Sequence, residues 1–149
     1  MPDVTLLSNG SYHVLVTAEG TGYDRWNDMA VTRWREDAAL DDFGTFFFIR
    51  DVDDSRVWSA PARPRSTPDD HEIDAVTTIA VAGDRDVALR RLRLTNRSSR
   101  RRTLSVTSYS EIVLSSAAAD SAHPAFSKLF VETEIDAALG AIFASRRAS

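Results

Sequence analysis

At 149 residues the chain is long enough for one domain with a core of its own, and its 43% apolar and 27% charged side chains are typical of a globular protein. It has no cysteine, which excludes disulfides, thiolate metal sites and thiol nucleophiles. Eighteen basic against 22 acidic residues give a net charge of −4, which argues against a general binder of nucleic acid or other polyanions.

The first half of the chain predicts strands joined by turns. Residues 11–17 alternate apolar and polar side chains after the turn pair Asn9-Gly10, which predicts a half-buried strand. Residues 45–50 have apolar side chains on both faces, which predicts a central strand that is covered on two sides. Residues 56–60 can pair back with it as a hairpin, and three prolines at positions 61–68 then predict an exposed loop.

Three further strands are predicted over residues 73–82, 87–95 and 102–114, with turn compositions in both connections. Consecutive hairpins of this kind form an antiparallel meander. The apolar parity of the middle strand changes near Arg90 and Arg91, which predicts a β-bulge there. The last of the three is expected to have one buried and one polar face.

The remaining segments are shorter. Residues 115–124 are mostly small and predict a loop, while residues 126–134 predict another strand. Residues 137–147 fit either a helix or a final strand interrupted by Gly140. No long helical stripe, internal repeat or bilayer-length apolar run is present, so the pattern is mostly β.

Residues 22–42 concentrate aromatic and arginine side chains with little amphipathic pattern, which is typical of a surface or an interface. Tryptophan and tyrosine rings can stack on the C–H faces of sugars while arginine and aspartate bond the hydroxyl groups. The same side chains can instead pack against another sheet or domain, with ion pairs across the seam. A histidine in the later His-Pro loop can donate to a ligand or bond to backbone. The candidate contacts with a saccharide or with another domain are therefore Tyr23, Arg25, Trp26, Arg33, Trp34 and His123.

No catalytic, metal-binding or cofactor-binding group is predicted. The six glycines form no phosphate loop or dinucleotide motif, and the three histidines are widely separated. The acidic pairs occupy adjacent positions, whose side chains point to opposite sides of an extended chain. Eight arginines lie between Arg85 and Arg102, and a solvated strand face with its turn explains them better than phosphate contacts do.

Four motifs carry a resemblance to a known family. Residues 8–12 read S-N-G-S-Y, residues 30–37 read A-V-T-R-W-R-E-D, residues 106–109 read V-T-S-Y and residues 122–130 read A-H-P-A-F-S-K-L-F. They closely resemble the amino-terminal region of the glycoside hydrolase family 94 phosphorylases, formerly glycosyltransferase family 36, which include cellobiose phosphorylase and cyclic β-1,2-glucan synthase. The resemblance covers most of the chain and is closest to the synthase branch.

The resemblance implies an all-β fold, an antiparallel β-sandwich of the supersandwich, galactose-mutarotase-like kind, that precedes a helical-barrel catalytic domain. In the family, the barrel supplies the general acid and the phosphate-binding groups for inverting phosphorolysis, which yields α-glucose 1-phosphate. No position of this chain matches the motif of the catalytic acid, so we expect the chain alone to be inactive. Between Pro68 and Val87 the chain is shorter than the family pattern by a strand-turn-strand piece.

These observations predict that residues 1–149 form a single non-catalytic domain, a fragment of a larger carbohydrate-active enzyme, which supports the barrel and its saccharide site. Expected partners are the barrel, a glucan or oligosaccharide and a second copy of the chain; phosphate binds only in the parent enzyme, and no nucleic acid is expected. The alternative is a free-standing carbohydrate-binding or dimerisation module. The missing signal-peptide pattern predicts a cytoplasmic location, within an inner-membrane protein if the synthase resemblance holds.

Overall fold

The fold is almost entirely antiparallel β, which confirms the predicted all-β class. The structure is a computed structural model and describes residues 4–18, 20–34, 43–60 and 72–147. The loop predicted at positions 61–68 lies outside the described residues, as does part of the region predicted to be shortened. Four sheets and two short helices make up the described ranges.

A five-stranded antiparallel sheet holds most of the amino-terminal part of the chain. Its strand order is β1-β2-β3-β4-β10. The strands are β1 (Val4–Ser8), β2 (Tyr12–Thr17), β3 (Gly22–Trp26), β4 (Met29–Thr32) and β10 (Ile112–Ser116). The predicted first strand is therefore β2, which pairs with β1 across the Asn9-Gly10 turn. The last strand of the sheet comes from a distant part of the sequence.

The other strands form three smaller sheets. A three-stranded sheet has the order β6-β5-β9, and two hairpins pair β7 with β8 and β11 with β12. These strands are β5 (Thr45–Asp51), β6 (Val57–Ser59), β7 (Ile73–Val81), β8 (Ala88–Asn96), β9 (Leu104–Ser110), β11 (Val131–Asp136) and β12 (Ala141–Arg146). The middle position of β5 confirms the prediction of a central strand, and Ile49 within it is fully buried.

The first part of the aromatic and arginine segment forms β3 and β4, and β3 is the middle strand of the large sheet. β3 and β4 form a hairpin around Asn27 and Asp28, and Asn27 takes a left-handed φ of 48°. The sequence shows no alternation of apolar and polar residues here because two inward positions are polar. Asp24 and Thr32 are buried, and the Asp24 backbone N–H donates to Thr32 Oγ1 at 2.8 Å. Residues 35–42 lie outside the described ranges.

The strand predicted over residues 102–114 is divided at Glu111. β9 pairs with β5 and β10 pairs with β4, so the predicted meander ends after the β7–β8 hairpin. At the division, Glu111 meets Arg33: its carbonyl accepts the Arg33 backbone N–H at 2.8 Å, and its carboxylate accepts from Arg33 Nη1 at 3.0 Å. The prediction of one buried face also fails for β9, where Val106 is 46% exposed.

The β-bulge occurs in a different strand from the predicted one. β7 and β8 pair without interruption from Ile73–Asn96 to Val81–Ala88. The apolar residues of β8 shift from odd to even positions because Leu89 faces solvent while Arg90 points inward and pairs with Asp24. The irregular register lies in β10, between Ile112 and Ser115, where Leu114 adopts a φ of 52°.

Buried polar groups pair with each other inside the fold. The Tyr12 hydroxyl donates to Asp24 at 3.1 Å, and burial followed by the neighbouring Asp24 charge raises the pKa of this tyrosine. Arg102 is buried against Asp51, with Nε 2.7 Å from Oδ2. Burial alone would raise the pKa of Asp51, but hydrogen bonds from Arg102 and a backbone N–H hold it below its ordinary value. The solvated-face prediction is therefore wrong for Arg90 and Arg102.

The carboxyl-terminal part contains two helices that were not predicted. α1 (Ala117–Ala122) begins after Ser116, whose side chain caps the Ala119 N–H, and α2 (Pro124–Lys128) follows at once. The predicted strand over residues 126–134 begins only at β11 because α2 occupies its first residues. The ambiguous last segment is the strand β12, paired with β11 in uninterrupted register.

Candidate saccharide-contact face

One side of the five-stranded sheet brings together polar and apolar side chains in two adjacent rows. Cross-strand pairing places Ser8, His13 and Arg25 in one row. The pairing of Leu6 with Leu15, and of Leu15 with Tyr23, forms the next. Neighbouring strands lie about 4.8 Å apart and same-face residues along a strand about 7 Å apart, so each row spans about 10 Å. We call these six positions the outer face.

An open hollow of about 490 Å³ lies on the outer face. It is lined by Leu6, Gly10, His13, Tyr23, Arg25, Asn27 and Asp28. Trp34 adjoins it through Tyr23, since the two ring centroids are 5.7 Å apart with an angle of 57° between the planes. Trp34 is 43% exposed, so the two rings form an aromatic corner that solvent reaches.

The Arg25 guanidinium is held in place by the turn beside it. Its Nε donates to the carbonyl of Asn27 at 2.6 Å, and its Nη2 donates to Asp28 Oδ1 at 2.9 Å. The Asp28 side chain is fully exposed, so this ion pair contributes little to the stability of the fold. It does fix a cation and an anion side by side at the rim of the hollow, where their charges cancel.

His13 contributes a further polar group to the hollow. Its Nδ1 lies 2.8 Å from the Ser8 hydroxyl, which orients the ring. Within the described ranges, the other ring nitrogen has no hydrogen-bond partner. Arg25, Asp28 and His13 thus place donors and acceptors beside an aromatic corner and a leucine row, the combination that binds polyhydroxylated ligands with one apolar face.

Sequence reasoning found part of this face and missed part of it. Tyr23, Arg25 and Trp34 were predicted and lie together. His13 and Asp28 were missed, although His13 is out of phase with the buried Val14 and so had to face the other side of its strand.

Trp26 lies on the opposite side of the same sheet. It pairs with Tyr12, and its indole Nε1 donates to Asp86 Oδ2 at 2.6 Å. Asp86 also accepts the Ser11 hydroxyl, while the Asn9 amide donates to the carbonyl of Ala82 at 3.0 Å. Trp26 therefore joins the large sheet to the β7–β8 turn.

Asp86 should make the stability of the fold depend on pH. Hydrogen bonds from Ser11 first and Trp26 second hold its pKa below the ordinary value of 3.8. A carboxyl group whose pKa is lower in the folded state than in the unfolded state stabilises the fold at every pH above its unfolded-state pKa. This contribution is lost as the pH falls through its folded-state pKa. We therefore expect the free-energy difference between wild type and Asp86→Asn, from urea unfolding, to shrink below pH ~4. Asp84→Asn, in the same turn, is the matched control; a constant Asp86→Asn difference would contradict the prediction.

Arg33 is buried within the fold. Its side chain is 3% exposed and donates two hydrogen bonds to Asp120, from Nε to Oδ2 at 3.0 Å and from Nη2 to Oδ1 at 2.7 Å. A third bond joins Nη1 to Glu111 at 3.0 Å, and Lys128 approaches the same Glu111 oxygen at 2.5 Å. Arg33 thus fastens the end of β4 to α1 and to the division between β9 and β10.

His123 lies between the two helices and is not among the residues that line the hollow on the outer face. Its carbonyl accepts the Ser127 N–H at 2.9 Å, and its ring meets Phe126 edge-on with centroids 6.4 Å apart. Among the residues that the structure describes, no three His, Asp or Glu side chains are grouped so as to hold a metal ion. Neither described helix has the length or apolarity needed to cross a membrane.

An all-β supersandwich with an exposed aromatic and arginine face agrees with the comparisons with known proteins. The whole chain, residues 1–149, matches the family described as "Glycosyl hydrolase 94, supersandwich domain", and the chain belongs to that family. It is 42% identical over 161 residues to the cyclic beta-(1,2)-glucan synthase NdvB of Rhizobium meliloti (strain 1021). The match covers 97% of this chain but only 6% of that relative.

Proposed function

We propose that this chain is a non-catalytic domain of a larger family 94 protein, in which it supports a helical-barrel catalytic domain and its saccharide site. Family membership and the small share of the relative that it spans support this proposal. The name of that relative makes a β-1,2-linked glucan the proposed saccharide. The resemblance to the synthase branch makes a cytoplasmic position, within an inner-membrane protein, the proposed setting. Phosphate and the catalytic acid then belong to the barrel, and this chain alone performs no phosphorolysis.

The observation that carries the proposal is the apolar surface of the β11–β12 hairpin. Ile135 and Ile142 are cross-strand partners on one face and are 76% and 72% exposed, and Leu139 in the connecting turn is 71% exposed. Burying each such side chain would contribute about 1.5–3 kcal/mol. Exposed apolar groups of this size and proximity mark a protein contact. We call Ile135, Leu139 and Ile142 the docking surface.

The base of this hairpin is anchored while the docking surface remains exposed. Arg146 Nη1 donates to the carbonyl of Val113 at 3.1 Å and to that of Ser127 at 3.0 Å, and its guanidinium lies 5.6 Å from the Phe130 ring centroid. The hairpin therefore holds a fixed orientation without help from its apolar end. A partner barrel can dock on it without first ordering it, which lowers the entropic cost of association.

The test is complex formation in trans. The chain is mixed with the separately produced barrel of a family 94 phosphorylase, and sedimentation velocity should show a one-to-one complex. Ile135→Asp/Ile142→Asp should abolish the complex because it places two charges in the contact. Leu89→Asp is the matched control, since Leu89 is 60% exposed on β8, and it should leave the complex intact.

Two outcomes would contradict this proposal. The first is a complex that persists unchanged in the folded hairpin variant, which would place the contact elsewhere. The second is a stable homodimer that excludes the barrel and that Ile135→Asp/Ile142→Asp dissociates. That second result would favour a free-standing dimerisation module, and saccharide binding through the hollow by such a dimer would favour a carbohydrate-binding module.

A further inference from the structure

The hollow and its aromatic corner combine features that the fold itself does not use. Among the described residues, Arg25 and Asp28 form hydrogen bonds only within one exposed turn. Arg33, in contrast, joins distant segments through three hydrogen bonds. Trp34 contacts Tyr23 and keeps 43% of its surface exposed. An aromatic side chain left exposed beside a fixed ion pair is typical of binding surfaces.

The two rows of the outer face match a ligand with one apolar and one polar side. Leu6, Leu15 and Tyr23 form the apolar row, and Leu6 is 61% exposed. The neighbouring row supplies His13 and Arg25. A pyranose ring offers C–H groups on its faces and hydroxyl groups at its edges, so it can stack on the aromatic corner while its hydroxyls reach the polar row.

The charge of the hollow selects for a neutral ligand. The Arg25 cation lies 2.9 Å from the Asp28 carboxylate, so the anion already satisfies part of the guanidinium fork. A phosphate group would have to displace Asp28 or accept repulsion from it. A sugar hydroxyl can instead donate to the carboxylate and accept from the guanidinium at the same time.

We infer that the hollow on the outer face binds a neutral saccharide chain, stacked on Tyr23 and Trp34 and hydrogen-bonded by Arg25, Asp28 and His13. The inference deepens the saccharide part of the proposed function, and the choice of a β-1,2-linked probe rests on that function. The docking surface belongs to a different sheet, so saccharide binding and barrel binding can be tested separately.

The experiment is isothermal titration of the chain with a linear β-1,2-linked gluco-oligosaccharide at millimolar concentration. Wild type should give saturable heat, and Trp34→Ala and Arg25→Gln should each weaken binding by about tenfold or more. Trp26→Phe on the inner side of the sheet and Arg93→Gln on β8 are the matched controls and should bind like wild type. Inorganic phosphate should not compete. Thermal unfolding of every variant verifies that it is folded.

A second measurement does not depend on the variants. In amide NMR spectra of the wild-type chain, the same oligosaccharide should shift the signals of β1, β2 and β3 and the indole N–H of Trp34. Shifts confined to the β11–β12 hairpin, absence of saturable heat with folded wild type, or unchanged affinity in folded Trp34→Ala and Arg25→Gln would each overturn the inference. Competition by phosphate would also overturn it, because the site would then bind anions. Failure of the barrel complex alone would leave it standing.

Discussion

Replacing Gly22 by alanine will destabilise the domain by about 2–6 kcal/mol, the sum expected for backbone strain and for overpacking. Gly22 starts β3 with a φ of 149°, where a Cβ would overlap the carbonyl oxygen of Leu15 and lie 2.8 Å from its carbonyl carbon. The obstacle is backbone in the neighbouring strand, so it cannot rotate away as a side chain could. The measurement is the urea unfolding midpoint, with the slope of the transition checked for constancy.

Alanine substitutions at two other glycines distinguish backbone strain from overpacking as the cause of the destabilisation. A Cβ on Gly83 would meet nothing within 4 Å, so Gly83→Ala should be nearly neutral. Gly140 has a φ of 62° but equally open surroundings, so Gly140→Ala should cost only the backbone strain, about 1–2 kcal/mol. Equal midpoints for Gly22→Ala and Gly83→Ala would show that the close approach of β2 and β3 does not exist.

Arg33→Ala will cost about 3–5 kcal/mol, because it removes the bidentate ion pair that Arg33 makes with the buried Asp120 and the hydrogen bond to Glu111. Asp120 is 6% exposed, and water cannot replace the lost hydrogen bonds without opening the contact between β4 and α1. The free energy of unfolding, measured by urea titration with circular dichroism, gives the difference. Arg97→Ala is the matched control, since its ion pair with Asp74 is exposed and should contribute less than about 1 kcal/mol.

A double substitution distinguishes the buried charge from simple loss of packing. Arg33→Met/Asp120→Leu removes both charges and retains most of the volume, so it should recover much of the stability lost in Arg33→Ala. If the double variant is as unstable as Arg33→Ala, then packing around the guanidinium, and not the loss of the ion pair with Asp120, accounts for the lost stability.

The elements that could be predicted from the sequence are those with local causes. The turn pair Asn9-Gly10 and the alternation after it were enough to predict β2, and the apolar run starting at Thr45 was enough to predict β5 as a central strand. Both signals act within a few residues, so neither depends on knowledge of the remainder of the fold.

The failures arise where a polar side chain turns inward to meet a distant partner. Arg90 disturbed the alternation of β8 because its partner Asp24 lies 66 positions earlier, and periodicity alone then suggested a bulge. The division at Glu111 depends on Arg33, 78 positions away. Burial of Asp24 concealed β3 in the same way. Hydrophobic patterning assumes that inward residues are apolar, so it cannot detect these cases.

Part of the candidate site could likewise be predicted from local sequence, and part depends on strand pairing. The composition of the aromatic and arginine segment was enough to select that segment. Only strand parity and register distinguish Tyr23 and Arg25, on the outer face, from Trp26 on the inner one. His13 joins the face through pairing of β2 with β3, which no property of His13 alone indicates.

The position of β10 beside β4 also determines when the large sheet can be completed during synthesis. Arg33 and Asp120 are 87 residues apart, so a ribosome that adds 5–20 residues per second needs about 4 to 17 s to deliver the second after the first. Until then β4 is an unpaired edge with free backbone groups, which can pair with another chain. The nascent domain is therefore most exposed to aggregation before α1 emerges, and chaperones that act on unfinished chains would matter most in that interval.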